Sequence, residues 1–155
     1  MRTNLRVLLL LALATCTLAA FAQKTDIAVV VNPGNSVSSL TVPQLRKLLA
    51  SEKRSWPNGQ AVRVFVRASG TRERATLLKL LGVSESEYKQ YWTSQVFRGE
   101  VQFEPVALPS NGMQKEAIVA IPGAIVLMDS RDVKPPAKVM RIHGHLPGEP
   151  GYPIQ

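Results

Sequence analysis

The chain has 155 residues, 45% of them hydrophobic and 19% charged, with 19 Lys and Arg against 11 Asp and Glu, a formal charge of +8, and one cysteine. That length suits one domain and is too short for a two-lobed clamshell receptor. The composition excludes a disordered chain, the single cysteine excludes a disulfide framework or a cysteine-based zinc site, and the positive charge favours anionic partners.

Arg2 and Arg6 precede the apolar run Val7 to Ala14, and Ala20-Phe21-Ala22 closes the segment with small residues two apart. A basic start, a short apolar core and an A-x-A site predict a secretory signal peptide over residues 1–22, cleaved on export to the periplasm or the medium. An uncleaved membrane anchor is the alternative. Cys16, after Leu13-Ala14-Thr15, makes lipidation a further one. The remaining chain divides into a domain over 23–143 and a Gly/Pro-rich tail over 144–155 that the sequence gives no reason to fold.

Ile27 to Val31 is a continuous β-branched run ending at Asn32-Pro33-Gly34-Asn35, and reads as a buried strand before a turn. Thr41-Val42-Pro43-Gln44 has the spacing of a capping box, and Leu45, Leu48 and Leu49 follow at helical intervals. After the turn Trp56-Pro57-Asn58-Gly59, the segment Ala61 to Arg67 alternates, with Val62, Val64 and Val66 on one face. A helix over Glu73 to Leu81 is closed by Gly82, and Ser84-x-x-Glu87 caps another that carries Tyr88, Tyr91, Trp92 and Val96. Val101 to Val106 reads as a strand, Met113 to Ala120 as a short helix, Ala124 to Met128 as an apolar strand and Lys138 to Ile142 as the last strand. Strands alternating with helices predict an α/β domain with a largely parallel sheet flanked by helices.

Arg67-Ala68-Ser69-Gly70-Thr71-Arg72 joins a predicted strand to a predicted helix. In an open parallel sheet, ligands bind at such strand ends. The first amides of the helix are unpaired there, and the helix dipole adds about half a positive charge. Gly70 lets a ligand approach the backbone, Ser69 and Thr71 offer hydroxyls, and Arg67 and Arg72 offer guanidinium forks, together a recipe for a tetrahedral oxyanion. The same hydroxyls also suit plain helix capping, and the two roles are compatible. Ser36, Ser38 and Ser39 follow the first strand, in a loop expected either to face the same crevice or to be simply solvated. Tyr88, Tyr91 and Trp92 read as core and interface packing rather than a base-stacking platform. His143 and His145 lack a third ligand, no nucleophile–base pair is evident, and no RNA-binding motif appears, so no metal, cofactor, catalytic residue or nucleic-acid partner is expected.

The order of these features resembles one lobe of the phosphate-binding proteins that feed ABC-type phosphate transporters. The matching stretches are Ile27–Asn32, Ser39-Leu40-Thr41, Gln44-Leu45, Trp56, Val64–Arg67, Ser69-Gly70-Thr71, Tyr91-Trp92, Phe97-x-Gly99 and Pro122-Gly123-Ala124-Ile125. The resemblance implies a single lobe of a type II periplasmic-binding-protein fold, with phosphate or a similar oxyanion held by Ser69, Gly70 and Thr71 and by an arginine. Arg67 and Arg72 both remain open for that role, because this loop is shorter than the usual form. Ser38 and Ser39, from their place after the first strand, complete the expected ligand set, and an ABC permease or another envelope protein is the implied partner. Val126-Leu127 stands where the family has Gly-Tyr, and the other lobe is missing. These departures support a rival expectation, an envelope interaction or sensory module that kept the fold without the ligand and docks through the Tyr88/Tyr91/Trp92 face.

Overall fold

The computed structural model describes residues 25–155. The leader and Cys16 lie outside the described residues. Among the described residues, seven strands and four α-helices follow in the order β1 (Ile27–Val31), β2 (Ser39–Leu40), α1 (Val42–Leu49), β3 (Arg63–Arg67), α2 (Arg72–Leu81), α3 (Glu85–Phe97), β4 (Val106–Leu108), α4 (Asn111–Ala120), β5 (Ala124–Asp129), β6 (Lys138–Val139) and β7 (Arg141–Ile142). Five strands form one sheet in the order β4-β3-β5-β1-β6, and β2 pairs with β7 in a small second sheet.

Local chemistry explains where the helices begin. Thr41 and Gln44 exchange side-chain and backbone hydrogen bonds at the start of α1, as do Ser84 and Glu87 at the start of α3. Each pair satisfies two amides that a helix start otherwise leaves open. Gly82 ends α2 at φ +70°, the left-handed conformation that glycine adopts without a Cβ penalty.

Both faces of the sheet are covered, so β1 and β5 are buried along their whole length. On one face, Val29, Val31, Ile125 and Leu127 pack with Leu45 and Leu48 of α1, Leu77 of α2 and Trp92 of α3. On the other, Ala28, Val30, Val126 and Met128 pack with Ile118 of α4. Alternate residues of one strand thus feed opposite layers, as the period of two requires.

Strand direction departs from a parallel sheet at one place, and that place matters for function. β3 runs parallel to both β4 and β5, whereas β1 is antiparallel to both β5 and β6, with Ile27 opposite Asp129 and Val31 opposite Ile125. The end of β1 therefore lies beside the beginnings of β3 and β5. Asn32 confirms the location, since its Nδ2 donates to the carbonyls of Ile118 and Ile121 at the end of α4.

Three other segments differ from the sequence reading. The expected strand over 101–106 contracts to Val106–Leu108, and residues 101–105 form a loop. The expected strand over 138–142 divides at Met140: β6 joins the main sheet and β7 turns to β2. The Gly/Pro-rich tail is folded rather than loose. Tyr152 and Ile154 are buried in the main core, the Tyr152 hydroxyl donates to the Ile27 carbonyl at 2.8 Å, and the Ile27 amide donates to the Ile154 carbonyl at 3.1 Å. Two apolar side chains spaced by one proline are enough to lay this segment along β1.

Candidate functional site

The edge of the sheet where β3, β4 and β5 end is also where β1 begins. At this edge the chain leaves β3 at Arg67 and enters α2 at Arg72. Gly70 makes the turn at φ +87°, a conformation that other residues rarely adopt, and a Cβ placed there would meet no atom within 4 Å. Thr71 is the N-cap. Its hydroxyl accepts from the Arg74 amide at 3.2 Å and donates to the Ala68 carbonyl at 2.9 Å. Among the described residues, the amides of Gly70, Thr71, Arg72 and Glu73 donate to no protein acceptor. Four N–H groups thus stand at the positive end of the α2 dipole, beside an exposed glycine.

The side chains around this loop are more committed than the backbone. Ser69 donates its hydroxyl to Glu85 Oε1 at 3.0 Å. Glu85, in the first turn of α3, also receives Arg74 Nε at 3.1 Å and Arg74 Nη2 at 2.7 Å. The Arg74 guanidinium lies 4.0 Å over the Tyr88 ring. Such a fork against a carboxylate, with an aromatic face on the other side, suits a nearly buried arginine. The bonds from Arg74, with help from Ser69, hold the Glu85 carboxyl below the usual carboxylate range.

Arg72 turns from the loop toward β5. Its Nη1 reaches Asp129 Oδ2 at 2.9 Å and Thr25 Oγ1 at 3.1 Å. Arg131 donates to the same carboxylate through Nε at 3.1 Å and Nη2 at 3.0 Å. The Arg131 bonds, with the Thr25 hydroxyl adding, outweigh partial burial and hold Asp129 well below the usual carboxylate range. Arg67 is freer: Nη1 reaches the Leu108 carbonyl at 3.4 Å, a long bond, and its buried Nε has no partner.

The structure therefore brings Arg67, Ser69, Gly70 and Thr71 onto one loop, and engages Arg72 elsewhere. Ser38 and Ser39 belong to the small second sheet, not to that loop. Both serines are exposed beside β7, where β2 pairs with it and the Ser38 carbonyl accepts from the Arg141 amide. β1 runs antiparallel to β5, so it ends at Val31 on the edge away from Gly70, and the chain then passes through residues 32–38 before β2.

The aromatic group is also corrected as a docking face. Tyr88 is 4% exposed and Trp92 is 1% exposed, because they fill the core beneath α3. The exposed aromatics are Phe97, at 90%, and Phe103, at 80%. His143 Nε2 accepts from the Val42 amide, and His145 packs on Gly151. Among the described residues, no three His, Cys, Asp or Glu side chains gather as metal ligands, and no helix is long and apolar enough to cross a membrane.

Sequence reasoning missed Glu85, Arg74, Asp129 and Thr25. An acid in the first turn of a helix is what the dipole favours anyway, so Glu85 carries no signal of a second role. Its partners lie 11 and 16 residues away and follow no local pattern.

No family model matches the chain, and no curated protein sequence matches it. Solved structures do. The chain is similar to a protein assigned as a phosphate ABC transporter substrate-binding protein from Clostridium perfringens, solved with phosphate bound, at 16% identity and a TM-score of 0.62, over 77% of this chain and 46% of that one. It is similar to an ABC-type phosphate transport receptor from Vibrio cholerae at 19% identity and a TM-score of 0.62, over 79% and 48% of the two chains. A third similar structure is PstS from Borrelia burgdorferi, at 16% identity and a TM-score of 0.60, over 79% and 49%. The present chain spans about half the length of the structures it matches, and shares the fold of that half.

Proposed function

We propose that this chain is an exported solute-binding-type protein that holds phosphate or a similar oxyanion non-covalently at residues 69–73. One observation carries the reading: the four free amides of Gly70 to Glu73 gather at a positively polarised helix start on the strand-end edge, with Gly70 and Arg72 exposed there. Each supplies a donor whose orientation the helix fixes in advance, so binding requires little reorganisation. Arg67, which pairs with no carboxylate among the described residues, supplies positive charge from the adjacent strand end. The fold shared with phosphate transport receptors supports the same reading, and a link to phosphate uptake through an ABC permease follows from it. The mechanism is capture and release, with no bond made or broken. Calorimetric titration of the folded protein with inorganic phosphate tests this, and no heat at millimolar phosphate would overturn it.

A second reading has an observation of its own. Ser69 is bonded to a carboxylate and Arg72 is held by Asp129, so two side chains of the expected ligand set already have protein partners. That arrangement favours an envelope interaction or sensory module that kept the fold and gave up the anion. Capture from an envelope fraction, with and without phosphate, separates the two readings: a module without a ligand retains its partner unchanged when phosphate is added.

A further inference from the structure

We infer that residues 101–105 are a strap that closes onto the bare edge of β3, lengthening β4 at its start. The parallel pairing of β3 with β4 begins only at Phe65 and Val106. Ahead of that pair lies a notch of about 560 Å³, lined by Val62 and Val64 on one side and by Phe103, Glu104 and Pro105 on the other. Arg63 donates its amide to the Gly123 carbonyl on the β5 side, so the backbone groups of Val62 and Val64 point the other way, toward the notch. The Val62 amide is met there by the Arg54 carbonyl. Among the described residues, the Val62 carbonyl and the Val64 amide have no backbone partner.

Continuing the β3–β4 register backward sets Pro105 beside Val64, Glu104 beside Arg63 and Phe103 beside Val62. The Glu104 carbonyl then receives the Val64 amide and the Glu104 amide donates to the Val62 carbonyl, so one residue satisfies both free groups. Pro105 suits the position, because its missing N–H falls on the outer side of the new edge. Arg63 and Glu104 become a cross-strand pair of opposite charge. Both are exposed, and neither has an ionic partner among the described residues. Phe103, 80% exposed, moves beside Val62 at the margin of the core.

Little opposes the closure. Residues 102–105 make no hydrogen bond among the described residues. The loop is tied at Glu100, which pairs with Arg54, and at Val106, which pairs with Phe65. Six residue steps separate those ties, against three from Val62 to Phe65, so the surplus bulges near residue 102 and neither tie breaks. Bare sheet edges pair with other chains, so the strap decides whether this one is offered or covered.

Amide hydrogen exchange followed by NMR on the full chain tests the strap. In the open form the Val64 and Glu104 amides exchange like the loop amide of Gln102, after correction for sequence. The expected result is exchange at least about tenfold slower at both than at Gln102. Arg63→Glu, which sets two acids side by side, is expected to speed both severalfold, and Arg63→Glu with Glu104→Arg to restore the protection. Glu104→Pro removes the N–H that the closed strap needs and no bond of the open form, and is expected to abolish protection at Val64. Exchange at Val64 and Glu104 as fast as at Gln102, or protection of Val64 that survives Glu104→Pro, would overturn the inference.

Discussion

Ser69 and Glu85 are joined by a 3.0 Å hydrogen bond that places a carboxylate at the mouth of the proposed anion loop. The same carboxylate holds Arg74, so it serves the fold while opposing a negative ligand. The two roles are separable by substitution. Glu85→Gln removes the charge and keeps one acceptor. Phosphate affinity is expected to rise severalfold by calorimetry, while stability in urea falls by roughly 1–3 kcal/mol because the nearly buried Arg74 loses its ionic partner. A variant that loses stability and gains no affinity would show that Glu85 does not face the anion.

The two arginines of the loop are expected to behave differently. The Arg67 guanidinium pairs with no carboxylate among the described residues, so Arg67→Gln removes an uncommitted charge and weakens phosphate binding about tenfold or more. Arg72 is held by Asp129 and Thr25, so Arg72→Gln changes phosphate affinity by less than about threefold and shows mainly as a lower unfolding midpoint. Equal losses of affinity would mean that Arg72 leaves Asp129 to meet the ligand.

Acid should destabilise the protein through Asp129 and Glu85. Both native carboxyls titrate below their unfolded values, chiefly because of bonds from Arg131 and from Arg74 respectively. Their stabilisation is therefore complete above the unfolded carboxylate range, at about pH 4, and is lost as pH falls through that range toward the native values. Urea midpoints measured from pH 6 down to pH 2 are expected to fall steadily, and Asp129→Asn should flatten the slope.

Two glycines with similar backbone angles should respond unequally to alanine. Gly70 has open space where a Cβ would go, so Gly70→Ala costs only the left-handed backbone, about 1–2 kcal/mol. At Gly123 the added Cβ would sit 2.0 Å from the Ala61 carbonyl oxygen, which is backbone and must shift. The Gly123 carbonyl also receives the Trp56 indole at 3.0 Å. Gly123→Ala is expected to cost roughly 3–5 kcal/mol by chemical denaturation, strain and displacement together.

The tail offers a direct check on the fold. Ile154→Ala should cost about 2–5 kcal/mol, as for other buried isoleucines, and Tyr152→Phe about 1 kcal/mol for the lost bond to Ile27. A chain ending at Leu146 is expected to unfold at clearly lower urea than the full chain. Unchanged midpoints in all three would mean that the segment does not pack on β1.

Much of this molecule was legible in the order of its residues, because the signals were local. The capping pairs Thr41/Gln44 and Ser84/Glu87, the apolar runs of β1 and β5, the leucine stripe of α1 and the glycine that ends α2 all depend on neighbours within a few positions. The loop from Arg67 to Arg72 could be placed between a strand and a helix for the same reason. A strand's direction leaves no such trace, since IAVVV is equally apolar read against either neighbour. Only the pairing of Ile27 with Asp129 shows that β1 begins, rather than ends, at the edge that carries Gly70. Partnership is equally invisible: the fork of Arg74 on Glu85 and the hold of Asp129 on Arg72 join segments brought together by packing. Short-range chemistry in the chain thus determined which segments are strands, helices and turns, while the burial of two sheet faces decided which charges meet and which backbone amides remain free for a guest.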